Sequence, residues 1–95
     1  MIVIARLLWD TWNTEHIARH GVTQQDVEDV CQGDYIIRES YKGRIMVIGP
    51  TLDGRMLAVV LDPEGQGVYY PVTARSADKK ERRDYQRDKG GEHAA

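Results

Sequence analysis

The 95-residue sequence has one cysteine, no phenylalanine and three prolines. The single cysteine, Cys31, excludes an internal disulfide framework and is typical of a reducing compartment, so we expect a cytoplasmic protein. No apolar run approaches the roughly 20 residues that a membrane helix requires. The apolar start, Met1 to Leu8, is too short for a signal peptide and lacks a small-residue cleavage site. The sequence therefore predicts no membrane partner.

Net positive charge is also lacking, since 13 basic side chains stand against 15 acidic ones. The total of −2 hides a gradient along the chain. Residues 1–34 carry two basic and six acidic side chains, whereas residues 75–95 carry seven basic and five acidic ones. Five of those seven cations lie within nine positions. An asymmetry of this kind indicates charged partners at the carboxy-terminal end and says little about the fold.

The first third of the chain predicts a short strand followed by two helices. The strand covers Ile2 to Leu8, and the first helix covers Trp12 to His20. Either Asp10 or Thr11 is suited to cap that helix, and Gly21 is suited to end it. The second helix begins at a Thr23–Asp26 capping box, has Val22 and Val27 as a hydrophobic staple, and ends at Gly33.

From Tyr35 onward the pattern changes to strands and one final helix. Turn signals at Lys42-Gly43, Asp53-Gly54 and 63–67 separate four predicted strands. These strands are Tyr35–Ser40, Arg44–Gly49, Arg55–Leu61 and Val68–Ala74. A capping box at Asp78 and Glu81 begins a helix from about Lys79 to Arg87, which Gly90-Gly91 ends.

The resulting order, β-α-α-β-β-β-β-α, predicts an α+β fold in which helices pack on an antiparallel meander. We expect a single domain over residues 1–89 and a disordered tail over residues 90–95.

Each end of this pattern carries a short motif. At the amino-terminal end, Trp9-Asp10 is followed by His20-Gly21-Val22, which resembles the amino-terminal signature of the BrnT-type toxin family. The stretch 73–85, TARSADKKERRDY, resembles its carboxy-terminal pattern (S/T)-A-R-x-A-x-x-x-E-R-x-x-Y. The similarity spans about residues 9–87. The chain departs from the family in a shorter interval between Trp9 and His20, and in Asn13 where a lysine is expected.

The resemblance implies a RelE-like fold and a small bacterial ribonuclease toxin of a type II toxin–antitoxin module, which inhibits translation. It also implies a cognate DNA-binding antitoxin that neutralises the toxin in a hetero-oligomer. The substrate would be RNA, cleaved without a metal by attack of the ribose 2′-hydroxyl.

Such cleavage requires a base, a cation that stabilises the phosphorane, and an acid. Arg75 is our candidate for the phosphate because guanidinium stays charged and matches phosphate oxygens bidentately. Lys79 and Lys80 stand in the first turn of the last helix, where the helix dipole disfavours cations. This placement indicates either a polyanion partner or a solvated basic face.

Three further residues are candidates for proton transfer, and each has a structural alternative. Glu81 is either a general base or only the acid of the capping box, and Tyr85 either donates a proton or anchors the last helix. His20 either acts on the phosphate or is a helix-end histidine stabilised by the dipole. His16 and His20 have ligand spacing but no third ligand, so we expect neither a metal nor a cofactor.

Other basic side chains are candidates for RNA contact. They are Arg38, Arg44, Arg55, Lys79, Arg82 and Arg83. Three of these, Arg38, Arg44 and Arg55, lie on predicted strands. If they share a face of the sheet with Arg75, they would follow an RNA backbone. If they alternate between the two faces, they are ordinary polar residues that face the solvent. Trp9 and Trp12 either stack bases or fill the core, and the core is favoured because phenylalanine is absent. The alternative function is a non-catalytic toxin-fold module that binds a partner protein or RNA.

Overall fold

The order of elements is the one that the sequence predicts. The computed structural model describes residues 2–94, and the side chains through residue 90. The elements are β1 (Arg6–Leu7), α1 (Thr11–Ala18), α2 (Gln24–Gln32), β2 (Ile36–Glu39), β3 (Ile45–Pro50), β4 (Met56–Gly65), β5 (Val68–Ser76) and α3 (Lys79–Ala94). No helix in this part of the chain is long and apolar enough to cross a membrane.

The five strands form one sheet in the order β1-β5-β4-β3-β2. Strands β2 to β5 are an antiparallel meander, as predicted. The first strand differs, because β1 runs parallel to β5 and makes the sheet mixed. The amides of Ala5 and Arg6 donate to the carbonyl of Gly67 at the start of β5. The amino-terminal segment therefore covers the edge that the last hairpin would otherwise leave unpaired.

Three capping boxes begin the three helices. Asp10 caps α1, with the Asn13 side chain returning the bond, and Thr23 and Asp26 do the same at α2. At α3 the amide of Asp78 donates to Glu81, and the amide of Glu81 donates to Asp78. Each box satisfies amide groups that have no partner within their helix, which is why the short polar residues at these positions set the helix starts.

Several elements differ in length from the prediction: β1 and α1 are shorter, β5 is two residues longer, and β4 and α3 extend furthest past their predicted ends. Strand β4 continues through Pro63 to Gly65, so the expected loop reduces to a tight turn at Gln66 and Gly67, both with positive φ. Helix α3 continues past Arg87 and the predicted stop, because Gly90 does not adopt the left-handed conformation that would end it. The tail predicted for residues 90–95 also includes Ala95, which lies outside the described residues.

Helices cover both faces of the sheet. Helices α1 and α2 pack on one face around Ile17 and Val27, against Val47, Leu57 and Val59 of the sheet. Helix α3 lies on the other face, over a smaller cluster of buried residues. This cluster consists of Ile36, Ile48, Ala58 and Ala77, with Met46, Met56 and Tyr85 packed against it. Polar and charged contacts therefore carry a larger share of the attachment of α3.

Candidate nucleic-acid interface

The strand register brings Arg38 and Arg75 to the face that α3 covers. Arg75 pairs with Ala58, which pairs in turn with Ile48 and then Ile36. Arg38 follows Ile36 by two positions and so shares its face, because side chains alternate along a strand. The structure thus places both arginines beside α3.

Arg75 forms a bidentate ion pair with Glu81. Its two terminal nitrogens donate to the two carboxylate oxygens at 2.7 and 2.8 Å, and one of them also donates to the carbonyl of Ser76. The Arg75 side chain is 42% exposed and that of Glu81 only 12%. This hydrogen bond from Arg75 lowers the pKa of Glu81, and the same contact raises the pKa of Arg75. Glu81 therefore stays ionised and both caps α3 and orients the guanidinium.

A second charged cluster lies further along α3 and centres on Asp84, a residue only 7% exposed. Lys80 donates to one of its oxygens at 3.1 Å and Arg87 to the other at 3.1 Å. The Nε of Arg38 lies 3.9 Å from the carboxylate. The hydrogen bond from Lys80, more than the nearby charges of Lys80, Arg87 and Arg38, lowers the pKa of Asp84. A single buried carboxylate thus contacts three cations.

Arg38 is fixed a second time, by Asp88 in the next turn of α3. Its Nη2 lies 2.7 Å from Oδ2 of Asp88, and this bond lowers the pKa of the Asp88 carboxyl. The other terminal nitrogen of Arg38 donates to the carbonyl of Ile37. Arg38 therefore joins the edge strand to α3 through one hydrogen bond, to Asp88, and one longer ion pair, to Asp84.

A cleft of about 470 Å³ opens between β2 and α3, and we call it the β2–α3 cleft. Its lining consists of Arg38, Lys80, Arg83, Asp84 and Arg87. Four cations thus surround one carboxylate. Within residues 2–90, Arg83 makes neither a hydrogen bond nor an ion pair, so its guanidinium is available to a ligand. A site of this composition suits an anion such as a phosphodiester.

Three further candidates on α3 lie outside these charged clusters. Two of them form hydrogen bonds with the protein backbone, and the third has no partner in the described structure. The hydroxyl of Tyr85 donates to the carbonyl of Asp34 at 2.9 Å, which supports its interpretation as an anchor. Burial is the main cause that raises the pKa of Tyr85. Arg82 donates to the carbonyl of Ala77 just before the helix. Lys79 is exposed and has no side-chain partner in the described part of the chain.

Arg44 and Arg55 lie apart from the cleft. Arg44 is 3.7 Å from the carboxylate of Asp62 and stacks over the ring of Tyr41. Arg55 donates at 2.9 Å to Asp26 at the start of α2. The structure therefore does not bring Arg55 together with the basic residues of α3.

His20 also lies away from Arg75, at the end of α1 on the opposite side of the sheet. Trp12 stacks on His16 with ring centroids 4.9 Å apart, and His16 meets His20 edge-on at 5.8 Å. The expectation that Trp12 fills the core is wrong: it is 57% exposed, because Asn13 and Ile17 take the inward positions of the short helix. Trp9 is half-buried and donates from its indole to Glu28.

Three residues of the charged cluster escaped the sequence reasoning, namely Asp84, Arg87 and Asp88. The signal that could have found them is the spacing of Lys80, Asp84 and Arg87 at i, i+4 and i+7, which aligns opposite charges on one helix face. Within the described chain, no group of three or more histidine, cysteine, aspartate or glutamate side chains is arranged to hold a metal ion.

Comparison with known proteins gives one informative likeness. No protein-family model matches the chain, and neither does the sequence of any curated protein. Among solved structures, the chain is similar to the ribonuclease toxin BrnT of Brucella abortus, with a TM-score of 0.63 and 25% sequence identity. The match covers 78% of this chain and 97% of that one. The resemblance carried by the two end motifs is thereby confirmed, and the protein has a BrnT-type toxin fold.

Proposed function

We propose that the protein is an endoribonuclease toxin that cleaves RNA without a metal, by 2′-hydroxyl attack that leaves a 2′,3′-cyclic phosphate. The observation that carries the proposal is the cationic surface formed by Arg75, Arg38 and the β2–α3 cleft on one face of the sheet. A solved ribonuclease toxin has the same fold, which supports it further.

In this proposal Arg75 stabilises the charge on the pentavalent phosphate. Its guanidinium is held from one side by Glu81 and is exposed on the other, so an incoming phosphate meets a preorganised donor. Glu81 is the candidate base, ionised at neutral pH and in direct contact with Arg75. Lys80, one position before it, adds positive charge.

The remaining candidate residues would bind the RNA chain or donate a proton. Arg38 and Arg83 would bind neighbouring phosphates from the β2–α3 cleft, and Lys79 and Arg82 would extend this surface to the start of α3. Arg44 and Arg55 would contact only a longer RNA. Tyr85 is the candidate proton donor on the α3 face, although its hydroxyl donates to the carbonyl of Asp34 in the described structure. His20 lies on the opposite side of the sheet and would contact only another part of the RNA.

The proposal includes the cellular setting that such toxins imply. The protein would act in the cytoplasm, inhibit translation, and be neutralised in a hetero-oligomer by a cognate DNA-binding antitoxin. An antitoxin that blocks catalysis by occlusion would need to cover the α3 face.

Incubation of purified protein with RNA in the presence of EDTA tests the activity. We expect cleavage that persists in EDTA, products that end in 2′,3′-cyclic phosphate, and no cleavage by Arg75→Ala. Arg19→Ala replaces an exposed arginine at the carboxy-terminal cap of α1; it is the matched control and should cleave normally. Intact RNA with the wild type, or cleavage abolished by chelation, would contradict the mechanism.

The alternative is a non-catalytic module that keeps the toxin fold and binds a partner protein or RNA. The observation that favours it is the mutual pairing of Arg75 and Glu81, which occupies both groups within the protein. Expression of wild type and Arg75→Ala in bacteria separates the two functions. Growth inhibition by the wild type alone supports the toxin, and equal harmlessness supports the module.

A further inference from the structure

We propose that Asp84 is a positioning residue that holds Arg38, Lys80 and Arg87 together as one phosphate-binding site in the β2–α3 cleft. The inference rests on the proposed function in that its ligand is the backbone of single-stranded RNA. It concerns a site beside Arg75, formed in part by residues that neither end motif includes.

The contacts of Asp84 divide between its two oxygens. Oδ2 accepts from Lys80 and lies near Nε of Arg38, while Oδ1 accepts from Arg87. The three cations come from β2 and from two positions of α3 that lie about two helical turns apart. Asp88 also pairs with Arg38 at 2.7 Å and with Arg87 at 3.5 Å, so these two cations keep one shared carboxylate if Asp84 is neutralised. Lys80 would then lose its carboxylate partner and be repelled by the two arginines, because like charges at such short range are unfavourable.

The cations keep donors free for a ligand. The side chains of Lys80 and Arg87 are 77% and 69% exposed, although their charged ends meet at the buried carboxylate. An ammonium has three N–H donors and a guanidinium five, so one bond to Asp84 leaves most of them unused. Arg83, which has no partner in the described structure, completes the lining.

The composition of the cleft selects the class of ligand. The five lining side chains are all charged and none is aromatic, so the lining offers no aromatic ring on which a base could stack. Phosphate oxygens fit the guanidinium and ammonium donors. The site is therefore suited to the sugar–phosphate backbone and not to the reading of bases.

The test uses a substitution for which the positioning role and the change in net charge predict opposite effects on RNA affinity. Asp84→Asn removes a negative charge from an RNA-binding surface, which by Coulomb attraction alone would tighten binding. If Asp84 positions the cations, binding instead weakens. The matched control is Glu39→Gln, at the end of β2. It removes a negative charge that neighbours Arg38 in sequence, faces away from α3, and has no ion pair in the described structure.

The measurement is the affinity of each full-length variant for a 2′-O-methylated single-stranded RNA, which cannot be cleaved by 2′-hydroxyl attack, over a range of salt concentrations. We expect Asp84→Asn to bind at least about fivefold more weakly. Its slope of log affinity against log salt should be shallower by about 0.7 for each lost phosphate contact. Glu39→Gln should bind as well as the wild type or better.

Asp84→Glu guards against a folding defect, because it keeps the charge and moves the carboxylate by one methylene. We expect a smaller loss of affinity than for Asp84→Asn, with an unchanged circular dichroism spectrum. Wild-type affinity in both variants would overturn the inference while leaving the proposed function intact. Failure of the wild type to bind RNA would overturn both.

Discussion

Arg75 and Glu81 join the end of β5 to the first turn of α3 through two parallel hydrogen bonds of 2.7 and 2.8 Å. Glu81 also accepts the amide of Asp78, so one carboxylate caps the helix and fixes the arginine. The same ion pair weakens the attraction of Arg75 for a ligand, because a phosphate that approaches the guanidinium competes with the Glu81 carboxylate.

Glu81→Gln should therefore separate RNA binding from cleavage. The amide oxygen can still accept from Asp78, so α3 keeps part of its cap, while the negative charge beside Arg75 is lost. We expect binding of uncleavable RNA to tighten by about threefold to tenfold and cleavage of normal RNA to be lost. Unchanged affinity would show that Arg75 does not contact the RNA, and retained cleavage would exclude Glu81 as the base.

The acidic groups of α3 predict a loss of stability at low pH. The folded protein lowers the pKa values of Glu81 and Asp84, so both bind protons more weakly when folded than when unfolded. Their stabilising contribution is complete above their ordinary pKa values near 4 and is lost as the pH falls through the lowered values. The free energies of unfolding in urea of the wild type and of Glu81→Gln/Asp84→Asn should differ at pH 7 and converge as the pH falls through the lowered pKa values. A difference independent of pH would contradict this origin.

Asn13 should be among the most sensitive polar positions in the chain. It is fully buried, donates to the carbonyls of Leu8 and Pro71, and accepts the amide of Asp10. Asn13→Ala leaves these three backbone groups without their partner, which we expect to lower the free energy of unfolding by about 3 kcal/mol. Urea denaturation gives the value. Gln25→Ala, at an exposed position on α2, should change it by less than about 0.5 kcal/mol.

Cys31 should react only when the protein unfolds. Its thiol is buried against α2 and the sheet, and burial raises its pKa to about 12. At pH 8 this reduces the thiolate fraction by about 10³ relative to an ordinary cysteine, and the thiolate is the reactive form. We expect iodoacetamide to label the native protein negligibly and the urea-unfolded protein within minutes. Rapid native labelling would contradict the packing of α2.

The sequence predicts local features well in this chain and distant pairings poorly. The capping boxes at Thr23 and Asp78 and the order of the strands follow from short patterns of neighbouring residues. The parallel pairing of β1 with β5 joins residues about 60 positions apart, and no local pattern encodes it.

The candidate site shows the same division. The end motif identifies Arg75, yet its pairing with Glu81 depends on how strand β5 meets α3. The position of Arg38 over Asp84 and Asp88 depends on the register of β2 against β3 and on where α3 crosses the sheet. The burial of Asn13 and the exposure of Trp12 depend on the rotation of α1, which the weak apolar pattern of that helix does not fix.

The placement of α1 and α2 on one face of the sheet and α3 on the other separates the charges of the molecule in space. Residues 10–33, which form α1, α2 and their caps, carry a net −4, and residues 78–90 at α3 a net +2, so these helices set up an electric dipole across the sheet. The electric field of a polyanion rotates a protein with such a dipole, so that its positive side faces the polyanion before the two make contact. The protein would thus approach an RNA with α3 leading, and raising the ionic strength would slow the encounter as well as weaken the complex.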